Sequence, residues 1–374
     1  MKKSNFAKVL VLTLAVLMMI TGCNTGGVAS APAQSEGTAA TDSSADSTAE
    51  PSPAGDVQVL DNSEIKIGFY MPVTHPFFDG VKAGVEQYAA DTGISVEIAS
   101  AESLEQAGQD EKLGALAAKG VTNLLTYPMD QAGANGFFQE LVDNGCNIVN
   151  YAATTLQPTP ASLYIGADPS VIGADRMNLM VETLKGAGNL LIVYENPENP
   201  NVQLTKKTWD AILAENPGIN VLQEVSNIST EQEGQVKVGD ALAAHYGKID
   251  GIICYGMTPA VAIAQAMTDY YSSNPEAKKI VVSLTDSDPI QIEALKNGYV
   301  DYLTEQPMAG YGYVGCTALT MMRQGWMPKE GVYFIEVRDM IVSKDNVDTV
   351  RNELDKITEE ALAKLETEYM EKVA

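Results

Sequence analysis

The first residue placed to do covalent chemistry is Cys23. Lys2, Lys3 and Lys8 open the chain, an apolar run follows over 9–20, and Ile20-Thr21-Gly22-Cys23 closes it. A basic start, a short apolar stretch and small residues before a cysteine make a lipoprotein signal. Small side chains at 21 and 22 admit the backbone to a peptidase, and the Cys23 thiol is the nucleophile that takes up diacylglycerol. The apolar run is too short to span a bilayer. Residues 1–22 are therefore expected to be removed, leaving an extracytoplasmic protein held on the cell membrane by an acylated (palmitate-type) Cys23. The other cysteines, Cys146, Cys254 and Cys316, have no metal or redox spacing, and buried free thiols are expected of them, with one disulfide left open.

Catalytic constellations are missing from the sequence. It has no Gly-x-Ser-x-Gly elbow, no P-loop and no His/Glu metal pattern, and its two histidines, His75 and His245, stand far apart. No cofactor is expected, and binding rather than turnover is the chemistry left. Such binding needs aromatic faces to cover the C–H side of a ring and planar polar groups to satisfy hydroxyls. The stretch Tyr70-Met71-Pro72-Val73-Thr74-His75-Pro76-Phe77-Phe78-Asp79-Gly80 supplies both kinds.

Residues 24–63 are dominated by Ala, Ser, Thr, Gly, Pro and acids, with no aromatic residue, so they cannot bury enough to fold. The segment 23–63 is expected to be a disordered tether, about 35 Å long on average by square-root scaling. The remaining chain is long enough for two domains. The formal charge is −25, with 24 basic against 49 acidic residues; without residues 1–22, which hold three lysines and no acids, it becomes 21 against 49, or −28. That sign argues against nucleic acid and against anionic lipid as partners.

Short aliphatic runs at 65–70, 95–99, 123–127, 147–151, 163–166, 189–194, 220–224, 251–255, 279–284 and 300–304 alternate with helical patterns. In one of these patterns, Phe77, Val81, Val85 and Tyr88 recur near the 3.6 period. This alternation predicts two doubly wound α/β domains with parallel sheets, whose ligands bind beyond the carboxyl ends of the strands. Over 345–374, Val347, Val350, Leu354, Ile357, Ala361 and Leu365 step by three and four, predicting an amphipathic C-terminal helix that packs on the protein's own surface rather than on a partner. His245, beside Tyr246-Gly247, reads as an ordinary helix end.

The 70–80 loop resembles that of the ribose/galactose-type (type I) periplasmic sugar-binding proteins, which often carry Asn-Pro-Phe-Phe there. The resemblance continues at Tyr127-Pro128-Met129-Asp130, Ile165-Gly166-Ala167-Asp168 and Glu305-Gln306-Pro307, and covers about 65–342. It implies three crossings between the domains: one lobe from 64–167 with 307–333, the other from 168–306 with 334–344. It also implies a ligand in the cleft between them, sealed by hinge closure. An ABC transporter permease would be the partner, and the protein a monomer. By the same resemblance His75, Phe77, Phe78 and the hinge glutamine Gln306 are candidate ligand contacts.

Several positions depart from that family. Tyr151-Ala152-Ala153 stands where it tends to have Asp-Arg, Gln203 near its arginine, Gly256-Met257 at its Asn-Asp, and Thr285 at its strand-end aspartate, followed by Asp286. Losing the charged forks that grip vicinal hydroxyls argues against ordinary pentopyranose recognition. The candidate lining that remains is Tyr127, Met129, Asp130, Tyr151, Glu195, Gln203, Met257, Thr285 and Asp286. It suits a sugar, deoxy sugar or polyol, with a nucleoside or furanose-like signal, read by a membrane kinase or chemoreceptor, as the alternative.

Overall fold

A computed structural model describes residues 59–101 and 105–374. The signal 1–22, Cys23 and nearly all of the expected tether lie outside the described residues. Among the described residues Leu60 already belongs to the first lobe, ahead of the expected boundary at 64: its amide donates to the Arg323 carbonyl at 2.8 Å, and its side chain packs against the first core.

The first lobe opens with β1 (Lys66–Met71), α1 (Pro76–Thr92), β2 (Ser95–Ser100), α2 (Gln106–Ala118), β3 (Asn123–Thr126), α3 (Ala134–Asp143), β4 (Asn147–Tyr151) and β5 (Leu163–Gly166). The chain then crosses into α4 (Pro169–Thr183), β6 (Gly188–Tyr194), α5 (Pro200–Glu215), β7 (Ile219–Val225), α6 (Glu231–Ala244), β8 (Gly251–Tyr255), α7 (Met257–Ser273), β9 (Val281–Thr285), α8 (Pro289–Asn297) and β10 (Tyr302–Glu305). It returns through α9 (Met308–Arg323), β11 (Trp326–Pro328) and β12 (Phe334–Glu336). It crosses again to β13 (Met340–Val342) and ends in α10 (Val350–Lys364) and β14 (Met370–Lys372). All ten strands expected from the sequence form, within a residue or two at most ends.

The sheet orders are β12-β5-β4-β3-β1-β2, all parallel, and β13-β10-β9-β8-β6-β7, parallel except for the antiparallel edge β13. This is the two-lobed type I periplasmic binding protein fold. One boundary is corrected. Phe334–Glu336 was expected in the second lobe, but it pairs with β5 (Ile335 opposite Ile165) because Ile335 and Val337 are buried in the first core. The third crossing therefore falls between Glu336 and Met340. The C-terminal stretch is likewise not one helix: α10 stops at Lys364, and β14 pairs antiparallel with β11. Its apolar stripe is core-facing as expected, with Val347, Ile357, Ala361 and Leu365 buried.

Four strand-to-helix turns use one local device, a side-chain cap followed by proline: His75-Pro76, Asp168-Pro169, Asn199-Pro200 and Asp288-Pro289. The cap accepts a free backbone N–H and the proline gives up a donor that the first turn cannot use, so each helix starts right after its strand. The loops beyond the strands are thereby short and fixed. In the first lobe α1 and α9 approach so closely that a Cβ at Gly84 would lie 1.8 Å from the Ala309 carbonyl oxygen.

Candidate functional site

In the first lobe the 70–80 loop delivers Phe78 to the centre of an aromatic cluster. Its ring meets Phe77 and Tyr127 edge-on at 5.2 Å each, His75 at 6.2 Å and Tyr151 at 6.4 Å. Phe78 is only 8% exposed and is a core residue as much as a lining one, while Phe77 and Tyr127 are half-buried at its edge. His75 is exposed; its Nδ1 accepts the Phe77 N–H at 3.2 Å, which spends that nitrogen on the helix cap and leaves Nε2 available. The Tyr127 loop is held from beneath by buried Gln109. That amide donates to Thr126 Oγ1 (2.8 Å) and the Tyr127 carbonyl (2.7 Å), and its oxygen accepts the Met129 N–H (3.2 Å).

Two expected contacts in this lobe have other work. Tyr151 is completely buried between strands, with its hydroxyl donating to the Tyr70 carbonyl at 3.0 Å, so it is core and not lining. Asp130 is exposed and closes a turn: Oδ1 accepts the N–H groups of Ala132 (2.8 Å) and Gly133 (2.9 Å), and those two donors hold its carboxyl below the usual range. Met129 packs into the core under the sheet.

In the second lobe the organising residue is one that the sequence reading passed over. Arg176, on α4, is 2% exposed. Its Nε donates to Ser283 Oγ (3.3 Å), Nη1 to Thr285 Oγ1 (3.0 Å), and Nη2 to the carbonyls of Cys254 (2.6 Å) and Ser283 (3.2 Å). The guanidinium also lies 5.7 Å from the Trp209 ring centre. Burial pushes its pKa down to about 10. Arg176 thus clamps the ends of β8 and β9. The Thr285 hydroxyl, which also donates to Cys254 O at 2.9 Å, is consumed in the clamp and not offered to a ligand.

Immediately after the clamp the chain turns sharply at Asp286, where φ is +63°, a conformation that aspartate tolerates better than most residues. Its Oδ1 accepts the Gln306 Nε2–H at 2.7 Å, tying the end of β9 to the second crossing. Burial raises the Asp286 pKa; the Gln306 hydrogen bond opposes the rise, Glu195 adds to it, and Arg176 and His75 oppose it. The influence of His75 reaches Asp286 from the first lobe. Glu195 accepts from Thr258 Oγ1 at 2.7 Å and lies over Gly256, where a Cβ would come within 2.3 Å of its own Cβ. That close approach, with φ at +117°, accounts for glycine at 256. Met257, half-buried, begins α7 beside it. Gln203 is exposed on the first turn of α5, its amide 3.5 Å from the Glu198 carbonyl, and does not join the cluster.

The crossings themselves carry two further carboxylates. Glu305, at the second, has its pKa raised to about 7 by burial, with Oε2 buried and unpartnered among the described residues. Asp339, at the third, accepts the Tyr311 hydroxyl at 2.8 Å and is raised to about 7, again chiefly by burial. Tyr164 and Tyr255, from opposite lobes, are raised by burial first and by Asp339 next. Arg176 had one legible signal, a lone arginine in register with Ile172 and Met180 on a buried helical stripe; Tyr255 and Asp339 had none beyond standing at a strand end and a crossing. Cys146, Cys254 and Cys316 are buried and free. Among the described residues no cluster of three metal-ligating side chains occurs.

Residues 67–325 match the periplasmic binding protein domain family. No curated protein matches the chain. Among solved structures, an ABC transporter solute-binding protein from Burkholderia graminis in complex with D-arabinose is similar at 22% identity and a TM-score of 0.69, over 78% of this chain and 99% of that one. A solute-binding protein from Bacillus halodurans with bound myo-inositol is similar at 18% and 0.67, over 78% and 99%. A periplasmic ribose ABC transporter protein from Conexibacter woesei is similar at 17% and 0.68, over 80% and 97%.

Proposed function

The chain belongs to the periplasmic binding protein domain family, and we propose that it is an extracytoplasmic solute-binding lipoprotein that catches a sugar, deoxy sugar or polyol between its lobes and hands it to an ABC transporter. The observation that carries this reading is a pair of unlike surfaces at the strand ends of the two lobes. The first lobe offers ring faces and edges from Phe77, Phe78 and Tyr127 with the free side of His75; the second offers the carboxylate of Asp286, hydrogen-bonded to the hinge amide of Gln306. Rings cover C–H groups, and carboxylate and amide exchange hydrogen bonds with hydroxyls. With no nucleophile–base pair among these groups, the ligand is bound and released unchanged. The similar structures with D-arabinose and myo-inositol support a polyhydroxylated ligand.

A thermal-shift screen on a soluble form beginning before Leu60, against pentoses, hexoses, inositols, nucleosides and amino acids, tests the ligand class. A true ligand at a hundredfold excess over Kd adds about 2.7 kcal/mol to the native state. Shifts with amino acids alone would overturn the sugar-like reading. Gln306→Ala should then weaken the same ligand by several-fold to a hundredfold in calorimetric titration, corresponding to about 1–3 kcal/mol for stranded buried partners. Unchanged affinity would move the site away from the hinge.

The anchor has its own test. Cys23→Ser should release the protein from membranes in detergent-free fractionation, whereas equal retention of both forms would remove lipidation from the proposal.

A further inference from the structure

After the third crossing the chain does not stay in the second lobe. Val347 is buried in the second core and Val350, the first residue of α10, packs against that core. One turn later the same helix changes sides: Leu354 packs against the first core, Ile357 and Ala361 belong to it, and so do Leu365 and Met370 just beyond the helix. The helix ends are secured unequally. At the first-lobe end β14 pairs with β11, the Val373 amide donates to Gly325 O at 2.7 Å, and the Lys329 amide donates to Tyr369 O at 3.0 Å. At the second-lobe end the polar anchor is the exposed Lys296–Asp348 ion pair at 2.7 Å, of a kind that contributes little.

We propose that α10 is a strap that limits the range of angles open to the two lobes. The three crossings are short extended segments that swivel about a few dihedrals. A 15-residue helix is a rod about 22 Å long that does not stretch, and this one is seated in both cores. A groove of 340 Å3 lies beside it, lined by Asp175 of α4, Arg338 of the third crossing, Met340 of β13, and Glu353 and Ile357 of α10. Rotation of α4 relative to α10 has to change that volume, so the lobes cannot move without moving the strap. Restricting the unliganded protein to a narrow range of angles changes the population cost of reaching the binding-competent one. The strap therefore bears on affinity from outside the site.

The test measures the interlobe distance without any ligand, so it stands apart from the identity of the solute. Nitroxides are placed at Glu111→Cys on α2 and Glu215→Cys on α5, both exposed, in a mature chain carrying Cys23→Ser. Cys146, Cys254 and Cys316 are buried and stay unlabelled. Inserting Gly-Ser-Gly-Ser between Thr349 and Val350 gives the strap slack while keeping both packed faces. Pulsed dipolar spectroscopy should show a broader distance distribution than wild type, with its mean displaced. If the insertion misfolds by circular dichroism, Val347→Thr loosens the second-lobe anchor at constant chain length and should broaden the distribution to a lesser degree. Distributions that superimpose on wild type in a folded variant overturn the proposal.

Discussion

Arg176→Met is expected to destabilise the protein by on the order of 3 kcal/mol, enough to bring the second lobe near the edge of folding if total stability is in the usual range of about 5–15 kcal/mol. The guanidinium supplies four hydrogen bonds to acceptors at the ends of β8 and β9. Methionine fills much of the volume but donates nothing. The Ser283 carbonyl and the hydroxyl oxygens of Ser283 and Thr285 each lose a buried donor, at about 1–3 kcal/mol for an acceptor left without any. The Cys254 carbonyl keeps the Thr285 hydroxyl, and relief from burying a cation returns part of the loss, which holds the total below the sum of its parts. Urea denaturation followed by tryptophan fluorescence reads this directly, because Trp209 lies over the guanidinium. A midpoint equal to that of wild type would show the clamp to be dispensable.

The ten long strands were legible because each is a run of β-branched or aliphatic residues bounded by caps and turns, and a parallel sheet buried on both faces writes itself into the sequence that way. The four strands that were missed, β11 to β14, have three residues each. A run of that length carries no period. Trp326–Pro328 even contains a proline, which edge pairing tolerates and a pattern search rejects. The misplaced third crossing follows from the same brevity: only the pairing of Ile335 with Ile165 assigns that segment to the first sheet.

Candidate residues on the loops after β1 and β9 could be named from the sequence because the fold class alone directs attention to those strand ends. Tyr151 was misread because the last residue of a strand points either toward the cleft or into the sheet sandwich, and sequence does not give that parity. Asp130 was misread because an aspartate two and three residues before free backbone N–H groups serves a turn as readily as a ligand. The roles of Arg176 and Asp339 went unread for a different reason. Each acts through groups distant in sequence, Arg176 through 254, 283 and 285 and Asp339 through Tyr311, and only the folded chain brings them together.

Asp339→Asn is expected to flatten the dependence of stability on pH. The folded pKa of about 7 stands above the ordinary aspartate value of 3.8, chiefly through burial at the third crossing. Between those values the folded state holds a proton that the unfolded chain has released. Stability contributed by the protonated form is fully present below about pH 4 and is lost as pH rises through about 7. A shift of this size corresponds to roughly 4 kcal/mol at about 1.4 kcal/mol per unit, and partial exposure of the side chain reduces that to about 2–3 kcal/mol. Asparagine keeps an oxygen to accept the Tyr311 hydroxyl and cannot ionise, so packing is retained while the penalty disappears. Melting temperatures should therefore differ little between wild type and variant at pH 4 and increasingly favour the variant as pH rises to 8. Glu305 titrates in the same range and its charge acts on Asp339, so Glu305→Gln should reproduce part of the effect and the double variant should add less than the sum of the two. Parallel melting curves for wild type and Asp339→Asn across pH 4 to 8 would mean that the carboxyl is already hydrated where the crossings meet, and that the cleft is open to solvent at its hinge.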